Sequence, residues 1–231
     1  MTHIYRFAKY QLADSRRAVQ TYYLVILVLT VFMVTATSAN SPGENSLSGS
    51  IVFVFVLGLN CFKTSFLFSQ ANNLPRRSFY LATILAILAL SVIMSLLDFG
   101  LDNVMKSLVP YKGIFEQIYR QAGFANVLWS AVVLVFSASA GWMITMMYYR
   151  ANVPMKLFIS LSPILVIWVM IRLDRLTGGK LWHSLVWFIV RALGLATEVP
   201  NPYQAVFSFS ILVLGIWAMN YLLMYRIPIK A

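Results

Sequence analysis

Six long apolar runs separated by short polar intervals organise this chain, at residues 21–39, 50–68, 79–97, 124–149, 153–171 and 205–225. Each is close to the roughly 20 residues with which a helix crosses hydrocarbon, so the pattern predicts six membrane-spanning helices. No acid falls inside the runs, and of the bases only Lys63 lies more than one helical turn from an end. A long side chain there snorkels toward the headgroups and keeps its charge out of the bilayer.

Three further stretches carry weaker patterns. Residues 3–20 place Ile4, Ala8, Leu12, Ser15 and Val19 on one helical face and Arg6, Lys9, Arg16, Arg17 and Gln20 on the other. That predicts an amphipathic helix lying in the membrane interface. In 98–123, Leu101, Val104, Met105 and Leu108 recur at helical spacing before Pro110 and Gly113, and Ile114, Phe115 and Ile118 follow. These read as interfacial helices. The apolar run 181–190, bounded by Lys180 and Arg191, is too short to span. It predicts a re-entrant or interfacial segment, with Trp182 and Trp187 at interfacial depth and His183 at headgroup level. The fold class is therefore all-α, a polytopic membrane protein of one domain over 1–231, with 3–20 as the entry helix and 21–231 as the membrane part.

Charge orients this layout. The even loops and both ends carry eleven Lys and Arg residues against the single acid Asp14, whereas the odd loops carry seven against six acids. The bias of basic residues toward cytoplasmic loops places both termini and the even loops inside. With 60% hydrophobic and 11% charged residues, the chain has more apolar surface than a soluble core absorbs. Its net charge of +11 follows from topology and attraction to anionic lipid rather than from nucleic-acid binding. The single cysteine, Cys61, excludes a disulfide framework and reads as a small hydrophobe within the second run. The first run follows a structured-looking polar segment without a small-residue cleavage site, so it is expected to stay as helix one.

Candidate chemistry is sparse. The two histidines, His3 and His183, fall on opposite sides, and all seven acids lie outside the apolar runs or at their ends. No metal cluster or acid pair for hydrolysis is apparent, and no phosphate-binding G-x-x-x-x-G-K-[ST] motif occurs, so neither catalysis nor a cofactor is expected on this chain. Polar residues Asn60, Cys61, Lys63, Thr64 and Ser65 cluster in the inner half of helix two. In the loop 69–78, Pro75 breaks the run out of helix two, Ser78 is placed to cap helix three, and Arg76 and Arg77 fall at the inner surface. The turn 150–156 offers a second basic cytoplasmic surface. Ser137 and Gly141 on helix four have the spacing for close helix approach, and Pro163 predicts a kink near the middle of helix five.

Taken together, a basic entry helix, six spans, a short inner hairpin at 69–78 and a partly inserted outer segment between spans five and six resemble a permease subunit of the ABC-2 transporter type. Two local runs add to the likeness. Phe62-Lys63 through Asn73-Leu74-Pro75-Arg76-Arg77-Ser78-Phe79 is similar to the inner-loop pattern of bacterial members, and Tyr10, Asp14 and Tyr22-Tyr23 resemble the entry region of small permeases that export amphipathic or antimicrobial peptides. The resemblance implies a bacterial cell membrane, a separate ATPase chain carrying ATP and Mg, and a second permease, identical or homologous. It implies that Gln70, Asn72, Asn73, Leu74, Pro75, Arg76 and Arg77 receive the ATPase stroke, with Tyr5, Arg6, Lys9, Arg16, Arg150 and Lys156 as further cytoplasmic contacts. Faces of helices two and five would meet near a two-fold axis, with Asn60, Thr64, Phe158 and Ser162 lining the pathway. The long outer stretch 98–123 departs from the tight turn of larger members.

The function expected is thus non-catalytic export of a hydrophobic or amphipathic substrate such as a peptide, driven by a partner ATPase. The alternatives are a substrate-binding membrane component of a vitamin-uptake transporter and a structural or regulatory membrane protein.

Overall fold

The computed structural model describes residues 2–36, 46–60, 63–108, 112–121, 123–197 and 199–225. The expectations for Glu44 and its loop, Cys61, Pro110, Glu198 and the last six residues lie outside them, as does the end of the first apolar run. The described residues are all-helical: α1 (Thr2–Ala36), α2 (Ser46–Asn60), α3 (Lys63–Ala71), α4 (Arg76–Leu108), α5 (Ile114–Tyr119), α6 (Ala125–Arg150), α7 (Val153–Leu176), α8 (Lys180–Ala192) and α9 (Pro202–Tyr225). Five stretches are long and apolar enough to cross a membrane: Ser48–Ala71, which covers most of α2 and α3, and the helices α4, α6, α7 and α9. Among the described residues these five stand; the remaining predicted span, over 21–39, lies partly outside them.

Two boundaries differ from the predicted ones in an informative way. There is no break at residue 20, because the predicted entry helix continues into the first apolar run as one 35-residue helix, α1. Ile4, Leu12 and Val19 pack against the core and Ala8 is buried, while Arg6, Lys9, Arg16, Arg17 and Gln20 are exposed. Likewise α4 runs for 33 residues, so Leu101, Val104, Met105 and Leu108 extend the third apolar helix instead of forming a separate interfacial one. Nothing in 98–108 is a helix breaker except Gly100, and one glycine costs only about 1 kcal/mol. At its other end α4 starts directly after Pro75, two residues before Ser78, so Ser78 is not its cap.

Helix α6 is the centre of the bundle, packed by α2, α4 and α9, while α1 lies against α4. It buries Trp129, Leu134, Ala138, Trp142 and Met146 on several faces, as a helix enclosed on all sides must. The α2–α6 contact is close because small residues face it. Ser137 Oγ donates to the Ile51 carbonyl at 2.9 Å, Gly141 abuts Phe55 and Gly58, and Thr145 Oγ1 donates to the Leu59 carbonyl at 2.6 Å.

Helix α7 is the opposite case. Its 24 residues include no buried one, although Ile164, Leu165, Val166, Ile167 and Trp168 stand in a row. An apolar helix with so little protein around it is stable only where its surroundings are themselves apolar, which is the direct structural argument for a membrane protein. Pro163 sits inside this helix and deprives the Ile159 carbonyl of its N–H donor. The Ser162 hydroxyl replaces it, donating to Ile159 O at 2.8 Å. Beyond α7, Gly178 and Gly179 take left-handed φ values of 65° and 84°, and Asp174 Oδ1 accepts the Trp182 N–H at 2.8 Å, closing the first turn of α8. Helix α8 is exposed along most of its length, and its far end is tied down where the Leu193 carbonyl accepts the Tyr119 hydroxyl and the Ala192 carbonyl accepts the Ser208 hydroxyl.

Candidate functional site

The turn between α3 and α4 is tightly ordered. Leu74 N–H donates to Ser69 O at 2.9 Å, Asn73 N–H to Gln70 O at 3.0 Å, and Ser69 Oγ to Phe66 O at 2.7 Å. Asn73 adopts φ 53°, a left-handed value that asparagine tolerates better than most residues. Asn72 donates to Phe68 O, so its amide caps the end of α3. These bonds leave Asn72, Asn73, Pro75 and Arg77 exposed on a fixed scaffold. Arg76 is committed elsewhere, donating to the Tyr225 carbonyl at the end of α9.

Beside this turn stands the first part of α1. Tyr10 stacks on Phe68 with ring centroids 4.7 Å apart, and Phe7 meets Phe79 at 5.6 Å and Phe68 at 6.4 Å. Phe68 lies in the last turn of α3 and Phe79 in the first turn of α4, so four aromatic rings join the entry helix to both sides of the turn. Tyr5, Arg6, Lys9 and Arg16 are exposed on α1. The structure thus brings the 70–77 residues and the entry-helix residues onto neighbouring elements, with aromatic packing that neither the charge pattern nor the hydropathy pattern picks out.

The α6–α7 turn forms a second feature. Arg150 ends α6, Ala151 is buried, and Asn152 opens α7 with its side chain exposed and not capping the helix. A cavity of about 460 Å3 lies here between α6, α7 and α9, lined by Arg150, Met155, Phe158, Ile159 and Ser162 among others. Phe158 and Ser162 are therefore neighbours in one cavity, with the Ser162 hydroxyl spent on its own helix. Asn60 and Thr64 are not part of it. Asn60 Nδ2 turns back on its own helix to Val56 O at 2.9 Å, and Thr64 is exposed.

At the opposite end of α4 a buried polar network holds an acid that the hydropathy pattern places outside the helical interiors. Asp98 and Asp102 lie one turn apart on α4 and are only 3% and 6% exposed. Asp98 Oδ1 accepts from Tyr23 and from Ser50, both at 2.9 Å, and the Tyr22 hydroxyl is 3.0 Å from Ser50 Oγ. Asp98 Oδ2 is buried without a partner among the described residues. Because α4 extends past residue 97, a loop acid by hydropathy becomes an interior one that joins α1, α2 and α4. The signal for it is the i, i+4 spacing of the two aspartates. Nearby, Lys106 and Glu116 pair, linking α4 to α5. On α5, burial pushes the Tyr119 phenol above its ordinary value, so it remains a donor to Leu193 O.

Among the described residues no group of three or more His, Cys, Asp or Glu is arranged to hold a metal ion. His183 is exposed on α8. Comparison of the chain with protein-family models, with curated proteins and with solved structures gave no match.

Proposed function

We propose that this protein is the membrane-spanning permease subunit of an ATP-driven exporter in a bacterial cell membrane, acting without catalysis of its own and carrying a hydrophobic or amphipathic substrate such as a peptide. The chain spans six times, with both termini cytoplasmic. The observation that supports this reading best is the joining of α1 to the α3–α4 turn through Phe7, Tyr10, Phe68 and Phe79. A force applied at Asn72, Asn73, Pro75 or Arg77 reaches α1, α3 and α4 together, because the turn is braced by its own hydrogen bonds and by packed rings. The exposed basic residues Arg6, Lys9, Arg16 and Arg77 suit a partner surface of opposite charge. A second permease copy, identical or homologous, would cover α7 and enclose the pathway.

The test is co-purification in mild detergent from the native membrane. An ATPase recovered with the chain, whose activity rises when amphipathic peptide is added, is the expected result. A chain that emerges alone and retains a small vitamin through purification would overturn the exporter reading in favour of an uptake component.

A further inference from the structure

We infer that the cavity between α6, α7 and α9 is a binding site for one anionic phospholipid, its phosphate on Arg150 and an acyl chain along Met155, Phe158 and Ile159. The inference rests on the membrane-spanning character of α6, α7 and α9 and not on any transport activity. The cavity, about 460 Å3, is in the size range of ligand pockets and takes the phosphate and part of one acyl chain, and its walls are mostly apolar. It opens where the three spans end, so lipid is the material at its mouth. What selects a class of lipid is the one charged side chain in the lining.

Arg150 is exposed, and no acid pairs with it among the described residues. Nor does the sequence supply one nearby. The acid next along the chain is Asp174, at the far end of α7, and 24 helical residues span roughly 36 Å. A guanidinium presents a planar fork of donors that matches phosphate oxygens, and a zwitterionic headgroup offers the same phosphate with a cation attached that Arg150 repels. Asn152, exposed beside it with an amide that caps nothing, adds a neutral donor at the same mouth. Lys156 belongs to the same basic turn but does not line the cavity, which makes it the natural comparison.

The full-length chain, purified in detergent and exchanged into nanodiscs of equal phosphatidylglycerol and phosphatidylcholine, tests this by native mass spectrometry after release from the disc. One phosphatidylglycerol per chain should be retained in preference to phosphatidylcholine. Arg150→Gln should reduce that retention roughly five- to tenfold, since one basic side chain near the surface contributes about that factor. Lys156→Gln should leave it unchanged, and Ile159→Trp, which sets a bulky ring in the acyl-chain wall without touching charge, should also reduce it. Equal retention of the two lipids by the wild-type chain overturns the site, as does undiminished retention by Arg150→Gln. A loss as large with Lys156→Gln as with Arg150→Gln overturns it too, because that shows general surface charge rather than a bound lipid.

Discussion

Gly58 of α2 lies so close to α6 that a Cβ on it would meet the Ala138 carbonyl oxygen at 2.2 Å, and one on Gly141 would meet the Phe55 carbonyl oxygen at 2.3 Å. Both contacts are with backbone, which cannot swing aside as a side chain does. The two glycines therefore set the separation of α2 and α6.

Gly141→Ala should accordingly lower the unfolding free energy by about 1–3 kcal/mol, the usual cost of an extra methyl in a packed contact. Gly215→Ala on α9, where nothing lies within 4 Å, should be neutral or stabilising by about 0.5–1 kcal/mol, because alanine restricts the unfolded chain. Thermal unfolding in detergent compares the two directly. Equal effects would mean that the α2–α6 distance is not fixed by these residues.

The Asp98 network predicts a different kind of loss. Asp98→Leu removes the acceptor shared by the Tyr23 and Ser50 hydroxyls, leaving them only Met94 O and the Tyr22 hydroxyl, and should cost about 1–3 kcal/mol. Asp98→Asn keeps an acceptor oxygen in place and should cost less. Because Ser50 Oγ also faces the Tyr22 hydroxyl, Ser50→Ala and Asp98→Leu share partners, and their combined loss should fall short of the sum. Strict additivity in a double-mutant cycle would dissolve the network into independent contacts.

At the α3–α4 turn the two arginines separate by role. Arg77→Glu should release the proposed partner ATPase while leaving insertion and thermal stability of the chain intact, since Arg77 is exposed. Arg76→Glu should do the same and in addition loosen the end of α9, whose Tyr225 carbonyl it holds. An Arg77→Glu chain that keeps a fully stimulated ATPase would remove this turn as the coupling surface.

Sidedness can be read with single cysteines in a Cys61→Ser background. A cysteine at Asn72, on the α3–α4 turn, should react only with reagent inside the cell, and one at Lys180, at the start of α8, only with impermeant reagent outside. The opposite pattern would invert the topology and with it the proposed docking face.

How much of this is legible in the sequence depends on which physical signal each feature leaves. Runs of apolar residues announce themselves, so α6 and α9 fall within three residues of their predicted ends. The Ser137 and Gly141 spacing points to the α2–α6 contact from one side, while its complement, Gly58, carries no signal alone. Hydropathy misplaces Asp98 because it marks where a run stops being apolar and not where a helix stops being helical; α4 continues past that point. The rings of Phe7, Tyr10, Phe68 and Phe79 are far apart in sequence, and no local pattern predicts that they meet. Burial of α6 and exposure of α7 are equally hidden, since the two helices are similarly apolar and only their neighbours differ.

Helix α7 offers the sharpest test of how a proline is accommodated at membrane depth. The Ile159 carbonyl has lost its amide donor to Pro163, and the Ser162 hydroxyl supplies the replacement. Because α7 packs little against the bundle, a global melting temperature will respond weakly; hydrogen exchange of the α7 amides is the fitting measurement. Ser162→Ala should speed exchange around Ile159 by a factor that reflects a carbonyl left unpaired in hydrocarbon, about 1–3 kcal/mol or roughly five- to 150-fold. Pro163→Ala alone should slow it. The pair Ser162→Ala and Pro163→Ala should return it to at least the wild-type value, because the alanine that replaces Pro163 supplies the N–H that proline lacks. If Ser162→Ala leaves exchange unchanged, the carbonyl is satisfied by something other than this hydroxyl, and Ser162 is free for the lining role that the sequence first suggested.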